Sequence, residues 1–377
     1  MNILIAPDSF KESLSALEVA QAIATGFKKV FPDAQYQLLP MADGGEGTVQ
    51  SIIDATQGKR IYNTVTDPLG NPTQAFWGIT GDGKSAIIEI AQASGLHLVP
   101  NAQRNPLITT SYGTGELIKA ALDEGVQHII LGIGGSATND AGVGLLQALG
   151  AQFFDEQNQK LDYGGAALTK LSRINLGKLH PRLQQVHIDV ACDVNNPLCG
   201  AQGASAIFAP QKGATEAQVK QLDRALLHFA QKVQQQFNID IQTPKGAGAA
   251  GGMGSGLLLL PHATLKSGVT IVAEALNLAK KISQADLIIT GEGRMDAQSI
   301  QGKTPIGVAQ IAKTAGKPVI AIVGSLRADY SAVYKHGIDA VFPIITQIDT
   351  PENTLQQAHN NLKSSAENIA RLWQLKS

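Results

Sequence analysis

Five polar, glycine-rich segments carry most of the residues that can do chemistry in this sequence. Each contains a carboxylate and begins where a predicted strand ends: Pro7–Glu12, Ala42–Gly47, Gly132–Asp140, Cys192–Asn196 and Gly291–Asp296. Ligands of open parallel sheets bind at the carboxyl ends of the strands, so this placement predicts ligand-binding loops. Carboxylate and amide oxygens suit Mg²⁺, and exposed backbone N–H groups suit phosphate. The pattern therefore favours phosphoryl transfer.

The third segment also matches a dinucleotide fingerprint. Gly132-x-Gly134-x-x-Ala137 follows a predicted strand and precedes a helix predicted over 141–149, which is the context that an NAD site requires. The same loop is crowded with polar side chains, namely Ser136, Thr138, Asn139 and Asp140. That polarity suits phosphate or Mg²⁺ at a helix N-terminus better than the pyrophosphate of NAD. We predict a phosphate-binding loop, with an NAD site or a structural turn as alternatives.

Two further nucleotide motifs fail on their context. Gly246-x-Gly248-x-x-Gly251 follows a proline and a lysine instead of a strand, and more glycines follow where a helix should begin. The segment Gly246–Gly256 is therefore predicted to be a flexible loop, either a nucleotide clamp or a surface loop. Gln301–Thr304 resembles the end of a P-loop, but Ala297 replaces its first glycine. Lys303 remains a candidate for holding an anion, with a plain surface lysine as the alternative.

Other enzyme chemistry finds little support in the sequence. The eight histidines form no zinc-binding spacing, and Ser136 does not lie in a GxSxG elbow. Cys192 and Cys199 form neither a CxxC pair nor a disulfide framework, which indicates free thiols and a cytoplasmic protein.

Alternating apolar strands and amphipathic helices must position the loops. A Ser15–Glu18 capping box opens the first helix. The other predicted elements near the two ends of the chain are strands Ile3–Ala6, Tyr36–Leu39, Asp286–Thr290, Val319–Val323 and Ala340–Ile345, and helices Gly47–Ala55, Pro305–Thr314 and Leu355–Leu375. Apolar strands separated by helices are typical of a parallel sheet covered on both faces. We therefore predict an α/β domain with a Rossmann- or flavodoxin-like parallel sheet over residues 1–64 and 266–377.

Residues 65–265 are predicted to form a second, mixed α/β domain inserted into the first. Turn signals at Asp67–Gly70 and Gly81–Gly83 separate short strands and predict antiparallel hairpins. A long helix with an apolar stripe is predicted over Thr215–Phe237.

The composition and net charge indicate a globular protein and argue against some classes of partner. The chain has 377 residues, 44% hydrophobic and 16% charged, which predicts a globular protein of about two domains. The 30 Lys+Arg and 31 Asp+Glu leave a net charge of -1, which argues against nucleic acid or an anionic membrane as the main partner. No apolar run approaches the ~20 residues that span a bilayer. A homodimer is compatible with these features.

Five long motifs extend over the chain from end to end: Ala6–Ser15, Pro40–Thr48, Gly132–Gly144, Ala191–Leu198 and Thr290–Lys303. Together they resemble the bacterial glycerate kinase family, type I. The resemblance implies ATP-dependent phosphorylation of D-glycerate, usually at the 2-hydroxyl, giving 2-phosphoglycerate in glyoxylate, glucarate or galactarate breakdown. It also implies a two-domain α/β architecture, with ATP and glycerate as the small-molecule partners and Mg²⁺ as the expected metal.

The chemistry of this reaction predicts roles on the substrate side. Arg294 is the predicted clamp for the glycerate carboxylate, because its planar fork can donate two parallel hydrogen bonds. Lys11, Ser9 and Asp8 are predicted to complete the substrate site. Asp296 is predicted to take the hydroxyl proton, with capping of the following turn as the alternative.

The remaining assignments concern the metal and the nucleotide. Asp193 is predicted to be catalytic and to bind Mg²⁺ with Asn195 and Asp43; Asp193 and Asp296 can exchange roles, and Asp8 or Asp43 can replace either. The predicted nucleotide- and phosphate-binding residues are Gly44, Gly45, Gly134, Gly135, Ser136, Thr138, Asn139 and Lys303.

Two other functions stay open at this point. An NAD-linked hydroxyacid dehydrogenase would use Gly132–Ala137, but no histidine stands beside a substrate arginine as a proton carrier. A non-catalytic protein that binds a small acid would share a two-domain architecture, although five acidic loops are more than an anion would favour.

Overall fold

The computed structural model of the protein describes residues 1–45 and 47–375; Glu46, which belongs to the second predicted loop, lies outside the described residues together with Lys376 and Ser377. The strands are β1 (Asn2–Ile5), β2 (Gln35–Leu38), β3 (Lys59–Thr66), β4 (Pro72–Ile79), β5 (Ser85–Glu89), β6 (His128–Gly132), β7 (Gln152–Phe154), β8 (Arg173–Asn175), β9 (His187–Ala191), β10 (Ala263–Lys266), β11 (Leu287–Thr290), β12 (Arg294–Met295), β13 (Val319–Val323), β14 (Ser325–Leu326) and β15 (Ala340–Pro343).

The α-helices alternate with these strands. They are α1 (Ala16–Lys28), α2 (Thr48–Thr56), α3 (Ala91–Ser94), α4 (Tyr112–Asp123), α5 (Val143–Ala148), α6 (Ala204–Phe208), α7 (Glu216–Phe237), α8 (Ala249–Leu257), α9 (Gly268–Ala275), α10 (Leu278–Ser283), α11 (Thr304–Thr314), α12 (Pro351–Gln356) and α13 (Ala358–Gln374). Among the described residues, no helix is both long and apolar enough to cross a membrane.

Unit 1, one of two compact units, combines residues 1–43 and 50–57 with the chain from Val269 onward. Its sheet has the strand order β15-β13-β11-β1-β2, and every neighbouring pair is parallel. The three central strands are apolar and almost completely buried, as expected for a sheet covered on both faces. The predicted capping box is confirmed, because the Ser15 hydroxyl and the Glu18 carboxylate each accept a hydrogen bond from the other residue's backbone N–H.

Unit 2 comprises residues 44–49 and 58–268. Its main sheet has the order β10-β9-β6-β5-β4-β3, in which β3, β4 and β5 pair antiparallel and the remaining pairs are parallel. The predicted hairpins and the predicted α/β fold class are therefore confirmed. The domain boundary predicted between residues 64 and 65 falls within strand β3. In the structure, unit 2 resumes at Gly58, just before this strand.

The segment Gly246–Gly256 is buried and ordered, so the prediction of a flexible loop is wrong. It leads into α8, which contains left-handed backbone at Ala250, Gly251 and Gly252. A Cβ atom on Gly251 would lie 2.0 Å from the carbonyl oxygen of Thr138, which no side chain can tolerate. The glycines thus permit close packing of two backbones inside unit 2.

Two predicted helices also have different bounds. Helix α5 begins at Val143 instead of residue 141, because Ala141 and Gly142 are left-handed, with φ of 54° and 70°. The helix predicted over Leu355–Leu375 is divided at Gln357 into α12 and α13.

Candidate active site

The loops that follow the strands of unit 1 surround a cavity of about 500 Å³. They follow β2, β1, β11, β13 and β15 at the carboxyl edge of the sheet, where ligands of such sheets bind. The charged residues that line the cavity are Asp8, Lys11, Glu12, Asp43, Glu292, Arg294 and Lys303. Five of these seven belong to the residues predicted from the sequence, and Glu12 and Glu292 are the additions.

Asp8 is held at the cavity by hydrogen bonds to both of its carboxylate oxygens. The Thr304 hydroxyl donates to Oδ2 at 2.8 Å, and the backbone N–H of Ser9 donates to Oδ1 at 2.7 Å. Burial and the nearby Asp43 carboxylate raise the pKa of Asp8 to about 6, although Thr304, Ser9 and Lys11 oppose the shift. Asp8 is therefore an oriented carboxylate of increased basicity.

Glu292 and Lys303 form an ion pair beside Asp8. Lys303 Nζ lies 3.1 Å from Glu292 Oε2, and the Ser299 hydroxyl donates to Glu292 Oε1 at 2.5 Å. Burial raises the pKa of Glu292, while Ser299 and Lys303 oppose the shift. Lys303 immediately precedes α11, so it lies where a helix N-terminus attracts anions. The sequence signal for Glu292 was its position between two glycines at the end of β11.

Arg294 and Asp296 have different environments. Arg294 lines the cavity and its side chain is 59% exposed, with Nε 3.8 Å from Asp296 Oδ2. Asp296 is only 4% exposed and does not line the cavity. Its Oδ1 accepts a hydrogen bond from Gln298 N at 2.9 Å, at the start of the 3-10 helix Ala297–Ile300. The cap contact of Asp296 is therefore present, and its catalytic role stays a prediction.

The predicted phosphate loop in unit 2 has an exposed tip and a buried base. Gly134 and Gly135 are exposed after β6, whereas Ser136, Thr138 and Asn139 are buried. The side-chain nitrogen Nδ2 of Asn139 donates a hydrogen bond to Ser205 Oγ at 3.0 Å, so this side chain points into the interior of unit 2. Within the described residues, the Thr138 hydroxyl and the side-chain oxygen Oδ1 of Asn139 have no hydrogen-bond partner.

Two buried charges fix this loop, and the sequence indicated only one of them. Asp140 accepts hydrogen bonds from the backbone and hydroxyl of Ser111 and from two glycine N–H groups. Lys212 is 2% exposed, and its amine donates to Ser136 Oγ at 2.7 Å and to the carbonyl of Thr138 at 2.6 Å. Burial lowers the pKa of Lys212 to about 7 despite the opposing effect of Asp140.

The other predicted residues of unit 2 lie at loop positions. Gly268 N donates to Asp193 Oδ1 at 3.0 Å, and both Asp193 and Asn195 are exposed. Gly44 approaches Gly268 so closely that a Cβ would lie 2.7 Å from its Cα, and Gly45 accepts a hydrogen bond from the Thr48 hydroxyl. Across residues 1–45 and 47–375, no group of three His, Cys, Asp or Glu side chains is arranged to hold a metal.

Comparison with known proteins decides which class of reaction these loops serve. A sequence model of the glycerate kinase family matches residues 3–374. The chain belongs to the glycerate kinase family. It is 64% identical over 376 residues to a glycerate kinase of Haemophilus influenzae, with 100% of both chains covered, and 55% identical over 370 residues to the glycerate 2-kinase of Escherichia coli K12, with 98% and 97% covered.

A solved structure of a glycerate kinase family relative supports the fold. The crystal structure of a protein from Salmonella typhimurium LT2, assigned as glycerate kinase 2, matches with a TM-score of 0.93 at 53% identity and covers 100% of this chain and 99% of its own. The resemblance drawn from the sequence motifs is confirmed, and the protein is a kinase. The interpretations of the chain as a dehydrogenase or as a non-catalytic binding protein are left without support.

For a glycerate kinase, the unit 1 cavity contains the types of group that phosphoryl transfer requires. Arg294, Lys11 and Lys303 supply positive charge for anionic substrates. Asp8 supplies an oriented base, and Asp43 adds a second carboxylate beside it. These groups can bind anions, accept a hydroxyl proton and present oxygen ligands to a cation.

Proposed function

We propose that this protein transfers the γ-phosphoryl group of ATP to the 2-hydroxyl of D-glycerate and releases 2-phosphoglycerate and ADP. The family assignment and the relative named glycerate 2-kinase support this reaction. The observation that carries the proposal at the level of the site is Asp8, a carboxylate of raised pKa held by two hydrogen bonds in a cavity that also contains three cations. Because the donor is ATP, we also propose a cytoplasmic location.

Asp8 replaces Asp296 as the proposed proton acceptor. The carboxylate oxygens of Asp296 face Gln298 and Arg294, whereas Asp8 lines the cavity. Thr304 and the Ser9 backbone fix the orientation of Asp8, so its oxygens are positioned before the substrate arrives. A hydroxyl becomes a stronger nucleophile as its proton passes to such a base.

We assign the cations of the cavity to the two anionic substrates, glycerate and ATP. Arg294 has an exposed guanidinium whose fork can bind the carboxylate of glycerate through two hydrogen bonds, and Asp296 keeps that side chain oriented from behind. Lys303 is proposed to bind phosphate oxygens, because Glu292 fixes it at the N-terminus of α11. Lys11 adds a third positive charge at the cavity wall.

Mg²⁺ fits the carboxylates of this cavity. Asp43 lies close enough to Asp8 to raise its pKa, so the two carboxylates can present oxygen ligands to one cation. Mg²⁺ commonly uses one or two carboxylates together with substrate phosphates, which requires no cluster of three acidic residues. We assign Asp43 as the ligand in unit 1; Asp193 and Asn195 in unit 2 stay predictions. When bound, Mg²⁺ neutralises part of the triphosphate charge.

Product analysis tests the proposed reaction. Purified protein is incubated with ATP, Mg²⁺ and D-glycerate, and the product is followed by phosphorus NMR with proton coupling. Phosphate on the 2-hydroxyl neighbours one carbon-bound proton and gives a doublet, whereas phosphate on the 3-hydroxyl neighbours two and gives a triplet. A doublet and stoichiometric ADP are expected. A triplet would overturn the position of transfer, and ATP left intact in the presence of D-glycerate would overturn the reaction.

A further inference from the structure

The unit 1 cavity has a charged end and an apolar end, and these lie beside different strands of the sheet. Asp43 follows β2, Asp8 follows β1 and Glu292 follows β11, so these carboxylates belong to one side of the sheet. Ile344 and Ile345 follow β15, which is the opposite edge strand. The proposed reaction uses the charged end and leaves the apolar end without a role.

Helices α12 and α13 complete the apolar end. Leu355 from α12 and Ala358 from α13 line it together with Ile345. Ile345 and Leu355 are 45% and 40% exposed, so their aliphatic surface is accessible to a ligand in the cavity. Apolar walls that continue into an end with three cations beside its carboxylates suit a ligand with a flat apolar part and an anionic tail that carries a bound cation.

Asn361 adds a polar group to this end. It lies one turn after Ala358, on the same face of α13, and it also lines the cavity. Among the described residues, none forms a hydrogen bond with the side-chain amide of Asn361, whose backbone N–H donates to Gln357 in the helix. A side-chain amide offers one donor and one acceptor side by side, which matches the donor and acceptor pair on the edge of adenine.

The cavity is larger than glycerate alone requires. A volume of about 500 Å³ lies within the range of cavities that hold ligands as large as drug molecules, whereas glycerate is a three-carbon acid. The second substrate of the proposed reaction supplies a purine base and a triphosphate, and these match the two ends in polarity.

We infer that the apolar end formed by Ile345, Leu355, Ala358 and Asn361 binds the adenine of ATP, with the Asn361 amide selecting adenine over other purines. The inference rests on the proposed function for the identity of the nucleotide. It assigns the base to unit 1 and makes the segment between β15 and α13 the specificity-determining part of the chain. The triphosphate then extends toward Lys303.

Paired variants test the subsite. Ile345→Asp places a negative charge among the apolar walls, and the matched control Ile348→Asp places the same charge on a fully exposed isoleucine of the same loop that does not line the cavity. Asn361→Leu removes the amide, and Asn360→Leu is its control on the exposed side of α13. The readouts are the KM values for ATP and for D-glycerate, the ratio of kcat/KM for ATP and ITP, and the Kd of ADP by calorimetry.

Ile345→Asp is expected to raise the KM for ATP and the Kd of ADP about tenfold or more, while the KM for glycerate changes by less than about twofold. Asn361→Leu is expected to lower the preference for ATP over ITP about tenfold. Both controls should behave as the wild type. In the wild-type protein, ADP should also slow hydrogen exchange between residues 344 and 361, a result that does not depend on any variant.

The outcomes separate this inference from the proposed function. Unchanged ATP and ADP affinities in both Ile345→Asp and Asn361→Leu, with glycerate still phosphorylated, would overturn the adenine subsite alone. Absence of ADP protection at 344–361 would do the same. If ADP binds with the predicted sensitivity to these variants but D-glycerate is not phosphorylated, the subsite stands and the proposed reaction fails.

Discussion

The substitution Asp8→Asn should make the protein more stable and nearly inactive at the same time. Asparagine has the shape of aspartate but cannot accept the proton of the substrate hydroxyl. Loss of a general base typically lowers kcat by ~10²–10⁴-fold. If Asp8 only maintained the fold, its substitution would make the protein less stable. Higher stability together with lower kcat therefore distinguishes a functional carboxylate from a structural one.

The change in stability follows from the pKa of Asp8. Its rise from 3.8 to about 6 is about two pKa units, and each unit corresponds to about 1.4 kcal/mol of free energy. Ionised Asp8 therefore lowers the free energy of unfolding by about 3 kcal/mol, which solvent reduces to about 2 kcal/mol for a partly exposed group. The asparagine amide keeps one acceptor oxygen, so one hydrogen bond, from Thr304 or Ser9, is lost at a cost of about 1 kcal/mol. The net gain is about 1 kcal/mol near neutral pH.

The sign of the pH dependence is fixed as well. Because the folded-state pKa is raised, the destabilisation by Asp8 is fully present above about pH 6 and disappears below the unfolded-state value of 3.8. Urea unfolding of wild type and Asp8→Asn should therefore give curves that converge as the pH falls through this range. Wild-type kcat should fall with acid in the same range, and Asp296→Asn serves as the kinetic control, with less than about a tenfold loss. A kcat near that of the wild type in Asp8→Asn would refute the base assignment, and lower stability of this variant at neutral pH would refute the electrostatic argument.

Three further substitutions test the neighbouring charges. Arg294→Lys keeps the charge but loses the fork, so kcat/KM for glycerate should fall by a factor on the order of a hundred, mainly through KM; unchanged kinetics would leave Arg294 a structural residue. Lys303→Met should raise the KM for ATP about tenfold and lower the free energy of unfolding by about 1 kcal/mol, because Glu292 loses its cation, and Lys303→Arg should restore both values in part. Lys212→Met removes two buried hydrogen bonds, including that to Thr138, and should cost about 2 kcal/mol in urea unfolding. Because the pKa of Lys212 is lowered from 10.5 to about 7, wild-type stability should rise with pH between these values, and this rise should be absent in Lys212→Met.

The elements that local sequence determines were predictable. The Ser15–Glu18 capping box and the turn at Asp67–Gly70 depend on residues a few positions apart, and both have the predicted consequence. The start of α5 was not predictable, because left-handed backbone at Ala141 is held by packing on Gly251, more than a hundred residues away. The glycines from 246 onward looked flexible for the same reason: their sequence does not reveal the backbone that they pack against.

The same distinction between local and distant contacts applies to the candidate site. Acidic residues between glycines identified the loops, but the role of each carboxylate depends on its distant partners. Asp8 is oriented by Thr304, which is 296 residues away, whereas Asp296 uses its oxygens within two residues of itself. The pattern at Asp296 therefore does not reveal that this carboxylate caps the following turn, and the carboxylate whose pKa is raised lies at the other end of the chain.

Lys212 shows why one part of the site gave no signal at all. It stands between Gln211 and Gly213, a sequence typical of an exposed turn, yet its partners Ser136 and Thr138 lie 76 and 74 residues earlier. A buried amine is unfavourable unless its hydrogen bonds are satisfied. The amine of Lys212 finds its acceptors in only one conformation of the loop that carries Gly134 and Gly135, so its burial favours that conformation. A loop held in one conformation in this way would lose little further conformational entropy on binding an anion at its exposed tip, and we predict that this is what the buried lysine contributes.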